Sequence, residues 1–329
     1  MTLFFDDRWL GPHGIGRYAA EIARRCAMQP ARLSGSPLGL LDPLRMAWAL
    51  PRLRPDHVFI PGFNPPLGNP CSFSLTLHDL IHMTVPEERS LAKTLYYEQL
   101  VKPALRRADM VFTVSNYSRD RIMEWSGVEA DRVTLSGNGV SPAFTPDGEA
   151  WRHQRPYLLY VGNQKPHKNV EGLIGAFAVS GLARDVDLLL TGDLKPGIAR
   201  MIDSLGLNRT VQSTGLVSDA EMPALYRSAH ALVMPSRHEG FGLPVVEAMA
   251  SGVPVLSSNR TSLPEVGGDA VLYFDPDDQE SFVYGLHRLL DSELMSSLKE
   301  KGRVRARLFD WNEVATQVLT AIQRSGGRR

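Results

Sequence analysis

The sequence predicts an α/β protein of two domains, each built on a doubly wound parallel sheet. Three features carry that expectation. Short buried-type apolar runs alternate with stretches of helical spacing along the whole chain. A segment at 141–156, rich in Pro, Gly and polar residues, interrupts the series. A new apolar run at 157–161 then restarts it. The domains drawn from this are 1–150 and 151–311, their parallel sheets expected to face a central cleft.

Residues 2–5 read as the first strand, 13–17 (HGIGR) as a tight turn, and 18–27 as a helix. Strand, glycine turn and helix open a doubly wound unit. Further buried strands are expected at 57–60, 73–77, 110–114 and 133–135. Residues 91–108 read as a helix bent at Pro103, and Ser118 as a cap for the helix after the 110–114 strand. In the second half, strands are expected at 157–161, 187–190, 211, 231–234, 253–256 and 271–274. Helices are expected at 198–205, 220–229 and 279–290. The segment 312–324 carries Val314, Val318, Leu319 and Ile322 at helical spacing, an amphipathic face suited to packing back on the first domain.

Composition narrows the function. The 329 residues hold 36 basic and 36 acidic side chains, so no basic excess points to nucleic acid. The two cysteines, Cys26 and Cys71, form no CxxC pair and read as reduced thiols. Asp6, Asp7 and Arg8 interrupt the start before a signal-type apolar core, and no run reaches the ~20 apolar residues of a membrane span. A cytoplasmic protein is expected.

The richest stretch is 236–255, SRHEGFGLPVVEAMASGVPV. It places Glu239 before the turn Gly240-Phe241-Gly242 and Glu247 on the helix that follows. Pro244 suits a first helical turn, and Gly252 ends the helix. A glycine turn feeding a helix N-terminus offers free amides and the positive dipole end to an anion. Carboxylates beside it accept bonds from hydroxyls. Phosphate and hydroxyls together describe a sugar nucleotide.

Several stretches in order resemble family 4 glycosyltransferases of the GT-B fold: GIGRY (14–18), LTLHDL (75–80), VSNYS (114–118), YVGNQKPHKN (160–169), the run 225–255, and LPEVGGDAVLYFDP (263–276). The resemblance implies retaining transfer of a sugar from a nucleotide sugar. It matches Glu247 to a ribose contact and Glu239 to a contact with donor-sugar hydroxyls. Backbone around Gly240, Phe241, Gly242 and Leu243 would meet the sugar and diphosphate. Lys168 would neutralise the phosphates, and Gly14 and Gly16 would form the first-domain turn near them. His78 would lie near the sugar being moved. Glu239, Lys168 and His78 are thus the candidate catalytic residues. Many relatives carry an arginine where Asn163 follows Gly162 here, so Lys165 and His167 are candidates to assist Lys168.

No metal or other cofactor is expected. Asp185-Val186-Asp187 precedes its strand, and Asp275-Pro276-Asp277 suits a turn before a helix. Asp79 could orient His78 or cap the next turn. The resemblance points to a glycan or lipid-linked acceptor in surface polysaccharide or O-antigen assembly, with GDP-mannose or a related GDP- or dTDP-sugar as donor. Leu40 to Arg54 mixes Leu41, Leu44, Met46 and Trp48 with Arg45 and Arg52; it reads as a core-facing helix, with peripheral contact at the inner membrane as the rival. Rival functions are a GT-B nucleotide-sugar epimerase and a nonenzymatic sugar-nucleotide-binding protein. A dinucleotide-binding dehydrogenase lacks support, because Gly14-x-Gly16 has no third glycine at the usual interval.

Overall fold

The structure, a computed structural model, describes residues 2–326. The chain divides into two compact units. One runs to Gly139 and resumes at Asp310; the other is Val140–Phe309.

The first unit holds a six-stranded parallel sheet in the order β2-β1-β3-β4-β5-β6. The strands are β1 (Leu3–Phe5), β2 (Gln29–Pro30), β3 (His57–Ile60), β4 (Phe73–Thr76), β5 (Met110–Thr113) and β6 (Val133–Leu135). β3, β4 and β5 are buried throughout, which is why they read as continuous apolar runs rather than alternating ones. The helix Gly14–Arg25 follows β1 and begins earlier than its apolar spacing suggested, because His13 Nδ1 accepts from Gly16 N at 2.9 Å and caps it. A Cβ on Gly16 would lie 2.2 Å from Gly11 O, so only glycine fits this turn.

The expected 91–108 helix is distorted before its proline. Leu91–Tyr96 is α-helical, Tyr97–Val101 forms a π-turn, and Lys102–Arg107 resumes the α-helix. Lys102 N–H reaches back to Tyr97 O, a wider turn just before Pro103, which has no N–H to continue the ladder. The cap of the Asn116–Ser126 helix is Ser115, not Ser118; Ser118 N donates to Ser115 Oγ at 3.1 Å.

The C-terminal helix Trp311–Gly326 belongs to this unit. Trp311, Val314, Val318 and Ile322 are buried with Tyr18, Ile22, Phe59 and Phe112. Trp311 meets Tyr18 edge-on at 6.2 Å.

The second unit holds another six-stranded parallel sheet, β12-β11-β10-β7-β8-β9. Its strands are β7 (Tyr157–Tyr160), β8 (Asp187–Leu190), β9 (Val211–Ser213), β10 (Ala231–Met234), β11 (Val255–Ser258) and β12 (Leu272–Phe274). Leu158, Ile174, Phe177, Leu188 and Leu256 are among the residues that fill its core. The division between units lies at Gly139–Val140 rather than after residue 150. The polar 141–156 segment is not a free linker: Phe144 packs edge-on to Tyr226 at 5.4 Å, and Trp151 N donates to Ser228 Oγ at 2.8 Å.

Candidate active site

In the second sheet the strand order reverses between β7 and β10, with β8 and β9 on one side and β11 and β12 on the other. Loops leaving the carboxyl ends of strands at such a reversal form the ligand crevice of an open α/β sheet. The loop after β7 carries Lys168, and the loop after β10 carries Glu239. The two side chains meet: Lys168 Nζ donates to Glu239 Oε1 at 2.6 Å. Neither is fully exposed, at 17% and 11%. Arg237 N donates to His167 O at 2.8 Å and joins the same two loops through backbone.

Lys168 ends the short turn Pro166–Lys168; Asn169 then turns left-handed at φ 54° and leads into the helix Val170–Ser180. Gly162 also sits at positive φ, 148°, with its N–H on Thr191 Oγ1 at 3.1 Å. Tyr160 OH donates to Asn163 O. Burial raises the Tyr160 pKa far above its ordinary range, and the Glu239 carboxylate adds to the effect. Asn163 Oδ1 accepts from Lys165 N at 3.2 Å, so the Asn163 side chain is turned onto its own loop. Of the two candidates to assist Lys168, Lys165 is exposed and His167 buried.

Gly242 precedes the helix Leu243–Ala250 at φ 106°, and no side chain caps this helix. In its first turn Pro244 has no N–H and Val245 N donates to Gly242 O at 3.0 Å, so the anion-binding capacity of this helix start rests on its dipole and the Leu243 N–H. Phe241 turns its ring edge-on to Phe309, with the centroids 5.7 Å apart. Glu247 lies on the same helix and is buried; Tyr226 OH donates to Glu247 Oε2 at 2.8 Å. Tyr226 comes from the helix Met222–Arg227, and nothing in its local sequence marked it as a partner of Glu247.

In the first unit, Gly14 and Gly16 open the helix after β1, with Gly14 exposed and Gly16 buried. His78 follows β4. Its Nε2 lies 3.0 Å from Pro61 O, and since a carbonyl only accepts, Nε2 carries the proton and Nδ1 keeps its lone pair. Tyr18 packs edge-on against the ring at 5.0 Å. Burial lowers the His78 pKa; Pro61 O and Asp79 oppose the shift and His13 adds to it. Asp79 Oδ1 accepts from Ile81 N at 3.0 Å, so it caps the following turn.

Both D-x-D sequences are engaged by cations of the protein. Asp187 accepts from Arg155 and pairs with His153, each at 2.8 Å. Arg260 Nη2 donates to Asp275 at 2.7 Å and Asp277 at 3.1 Å, and Arg237 Nε donates to Asp277 at 2.8 Å. These guanidinium bonds hold the Asp277 carboxyl below its ordinary pKa.

Two α/β units, each on a six-stranded parallel sheet, the second with a lysine–carboxylate pair at its strand-order reversal, have the architecture of the GT-B class of glycosyltransferases. Residues 9–144 match the family described as Glycosyltransferase Family 4, and residues 144–305 match Glycosyl transferases group 1. The chain is 33% identical over 300 residues to O-antigen chain mannosyltransferase B of Escherichia coli, covering 86% of this chain and 78% of that one. It is 30% identical to the serotype-specific mannosyltransferase WbdA of Escherichia coli, covering 81% of this chain and 35% of that longer one. Among solved structures, sucrose-phosphate synthase from Thermosynechococcus elongatus superposes with a TM-score of 0.80 at 18% identity, over 99% of both chains. The chain belongs to the family 4, group 1 glycosyltransferases and is a glycosyltransferase of the GT-B fold.

Proposed function

We propose that this glycosyltransferase moves a hexose of the mannose or rhamnose type from a nucleotide sugar, with GDP-mannose the first candidate. The acceptor is a glycan or lipid-linked glycan of surface polysaccharide or O-antigen assembly. The Lys168–Glu239 pair at the reversal of the second sheet carries the reading. Breaking a glycosyl–phosphate bond puts negative charge on the leaving diphosphate. Lys168 and the positive end of the helix that starts at Leu243 are suited to receive that charge. Glu239 is suited to accept bonds from donor-sugar hydroxyls, and Glu247 from the ribose. From the first unit the proposed contributor is His78, whose Nδ1 lone pair can accept from a sugar hydroxyl. The mannosyltransferase relatives support the choice of sugar.

Retention follows in this reading from front-face departure, with the leaving phosphate helping to deprotonate the acceptor hydroxyl. No metal is required, because a fixed ammonium and backbone amides neutralise the diphosphate. The test is transfer of labelled sugar from GDP-, dTDP- and UDP-sugars to lipid-linked and free glycan acceptors, with and without chelator. Transfer from one donor class, undiminished by chelator and giving an anomer matching the donor, is expected. An epimerised donor with no acceptor product would overturn the reading.

We also infer peripheral contact with the inner face of the membrane, which would place the protein on the cytoplasmic side. Among the described residues no helix is long and apolar enough to span a bilayer. The helix Asp42–Ala49 and the turn Leu50–Leu53 bury Met46 and Leu50 but leave Leu44 and Trp48 exposed, at 53% and 68%. Arg52 lies 3.4 Å over the Trp48 ring, and Arg45 and Arg54 add charge nearby in sequence. This apolar, basic face suits an anionic lipid surface. Co-sedimentation with anionic vesicles, lost when Trp48→Ala is combined with neutralised arginines, is expected. Binding no greater than to neutral vesicles would refute the contact.

A further inference from the structure

We propose that Thr261 and Ser262 are positioning residues that fix the backbone of Glu239. The proposal rests on the reading that Glu239 meets the donor. Glu239 sits in the irregular stretch between β10 and the Leu243–Ala250 helix, where no strand ladder holds the chain. Hydroxyls after β11 hold it instead. Glu239 N donates to Thr261 Oγ1 at 3.0 Å. Ser262 Oγ, fully buried, lies 2.9 Å from Glu239 O and 3.0 Å from Phe241 O, so its single proton is shared between two carbonyls. One step earlier, Ser258 Oγ donates to Ser236 O at 2.5 Å. Both backbone polar groups of Glu239 are therefore engaged by two successive side chains of another loop.

Thr261 is held at φ 55°. A β-branched residue at positive φ is strained, and glycine would adopt the same backbone freely. Glycine would lack the hydroxyl that receives Glu239 N–H. The strained threonine is thus tied to a contact that sets the backbone of the carboxylate facing Lys168, 2.6 Å away. Strain retained at such a point is what a positioning role requires.

The role separates stability from activity. Thr261→Gly relieves the backbone and removes the hydroxyl; Thr261→Ser keeps the hydroxyl. The experiment measures melting temperature, nucleoside diphosphate affinity and steady-state transfer for wild type, Thr261→Gly, Thr261→Ser, Ser262→Ala and Glu239→Gln. For Thr261→Gly a melting temperature at or above wild type is expected, with kcat reduced about tenfold to a hundredfold, the scale of misplacement by a fraction of an ångström to an ångström. Nucleoside diphosphate affinity should stay within about twofold, because the diphosphate-side lysine is untouched. Thr261→Ser should restore most of kcat. Wild-type kcat in Thr261→Gly while Glu239→Gln is impaired would overturn the positioning role alone. So would a fall in kcat that tracks melting temperature across the variants with no rescue by serine. Full activity in Glu239→Gln would overturn the underlying reading of Glu239 as well.

Discussion

Lys168 Nζ and Glu239 Oε1 lie 2.6 Å apart, on loops that leave adjacent strands where the second sheet changes direction. Each charge neutralises the other while the pair is closed. A diphosphate must draw the ammonium toward itself, and donor hydroxyls must take over the carboxylate. The pair is therefore expected to act as a unit. Removing one well-placed donor to developing charge commonly costs about 2.7–4 kcal/mol. Lys168→Ala should lower turnover at saturating donor by about two to three orders of magnitude. In a double-mutant cycle with Glu239→Gln, the losses should fall short of additivity by more than about 0.5 kcal/mol. Additive losses would mean that the two side chains work independently.

Tyr226 and Glu247 form the buried counterpart. Tyr226→Phe removes one donor to a buried carboxylate, and a hydrogen bond to a charged group contributes about 1.5–3 kcal/mol. Urea denaturation should show a lower midpoint at an unchanged slope. Because Glu247 is the proposed ribose contact, the Michaelis constant for donor should also rise. A stability loss with unchanged donor affinity would make Tyr226–Glu247 a purely structural pair.

His78 sets a pH dependence with a definite sign. Burial lowers its pKa in the folded chain, so below the ordinary histidine range the unfolded chain binds the extra proton first. Its contribution to stability is present above the unfolded pKa and is lost as pH falls through about 6.5 toward the lowered folded value. His78→Gln should flatten the stability profile between about pH 7 and 5. An unchanged slope in that window would show that His78 does not contribute it.

Gly16→Ala tests the turn after β1. Its new methyl would meet the Gly11 carbonyl oxygen at 2.2 Å, a backbone atom that has little room to give. Overpacking of this kind typically costs about 1–3 kcal/mol. A thermal midpoint equal to wild type would show that the turn opens without cost.

The strands were the most legible part of the chain. His57–Ile60, Val133–Leu135, Asp187–Leu190 and Ala231–Met234 appear at the bounds read from sequence, because short apolar runs flanked by breakers have few other ways to be buried. The 15-residue helix Ser292–Ala306 left little trace. It buries a narrow helical stripe, Met295, Leu298, Gly302 and Ala306, of which the last two are too small to mark an apolar face in the sequence. Ser118 read as a cap because hydroxyls favour that position, yet Ser115 lies closer to the end of β5 and accepts the Ser118 N–H. At the candidate site, the Lys168 and Glu239 residue types and order were visible. Tyr226, the partner of Glu247, and Thr261 and Ser262, the partners of Glu239, were not, since each reaches its target from another loop or helix, and a hydroxyl alone carries no sequence signature.

The shared grip of Lys168 and Glu239 on a sugar nucleotide is tested most directly by calorimetric titration. Nucleoside diphosphate and the matching nucleotide sugar are each titrated into wild type, Lys168→Ala and Glu239→Gln. Lys168→Ala should weaken both ligands, whereas Glu239→Gln should weaken the nucleotide sugar but not the bare diphosphate, for which it removes a competitor for the ammonium. Wild-type affinity for both ligands in both variants would contradict the account.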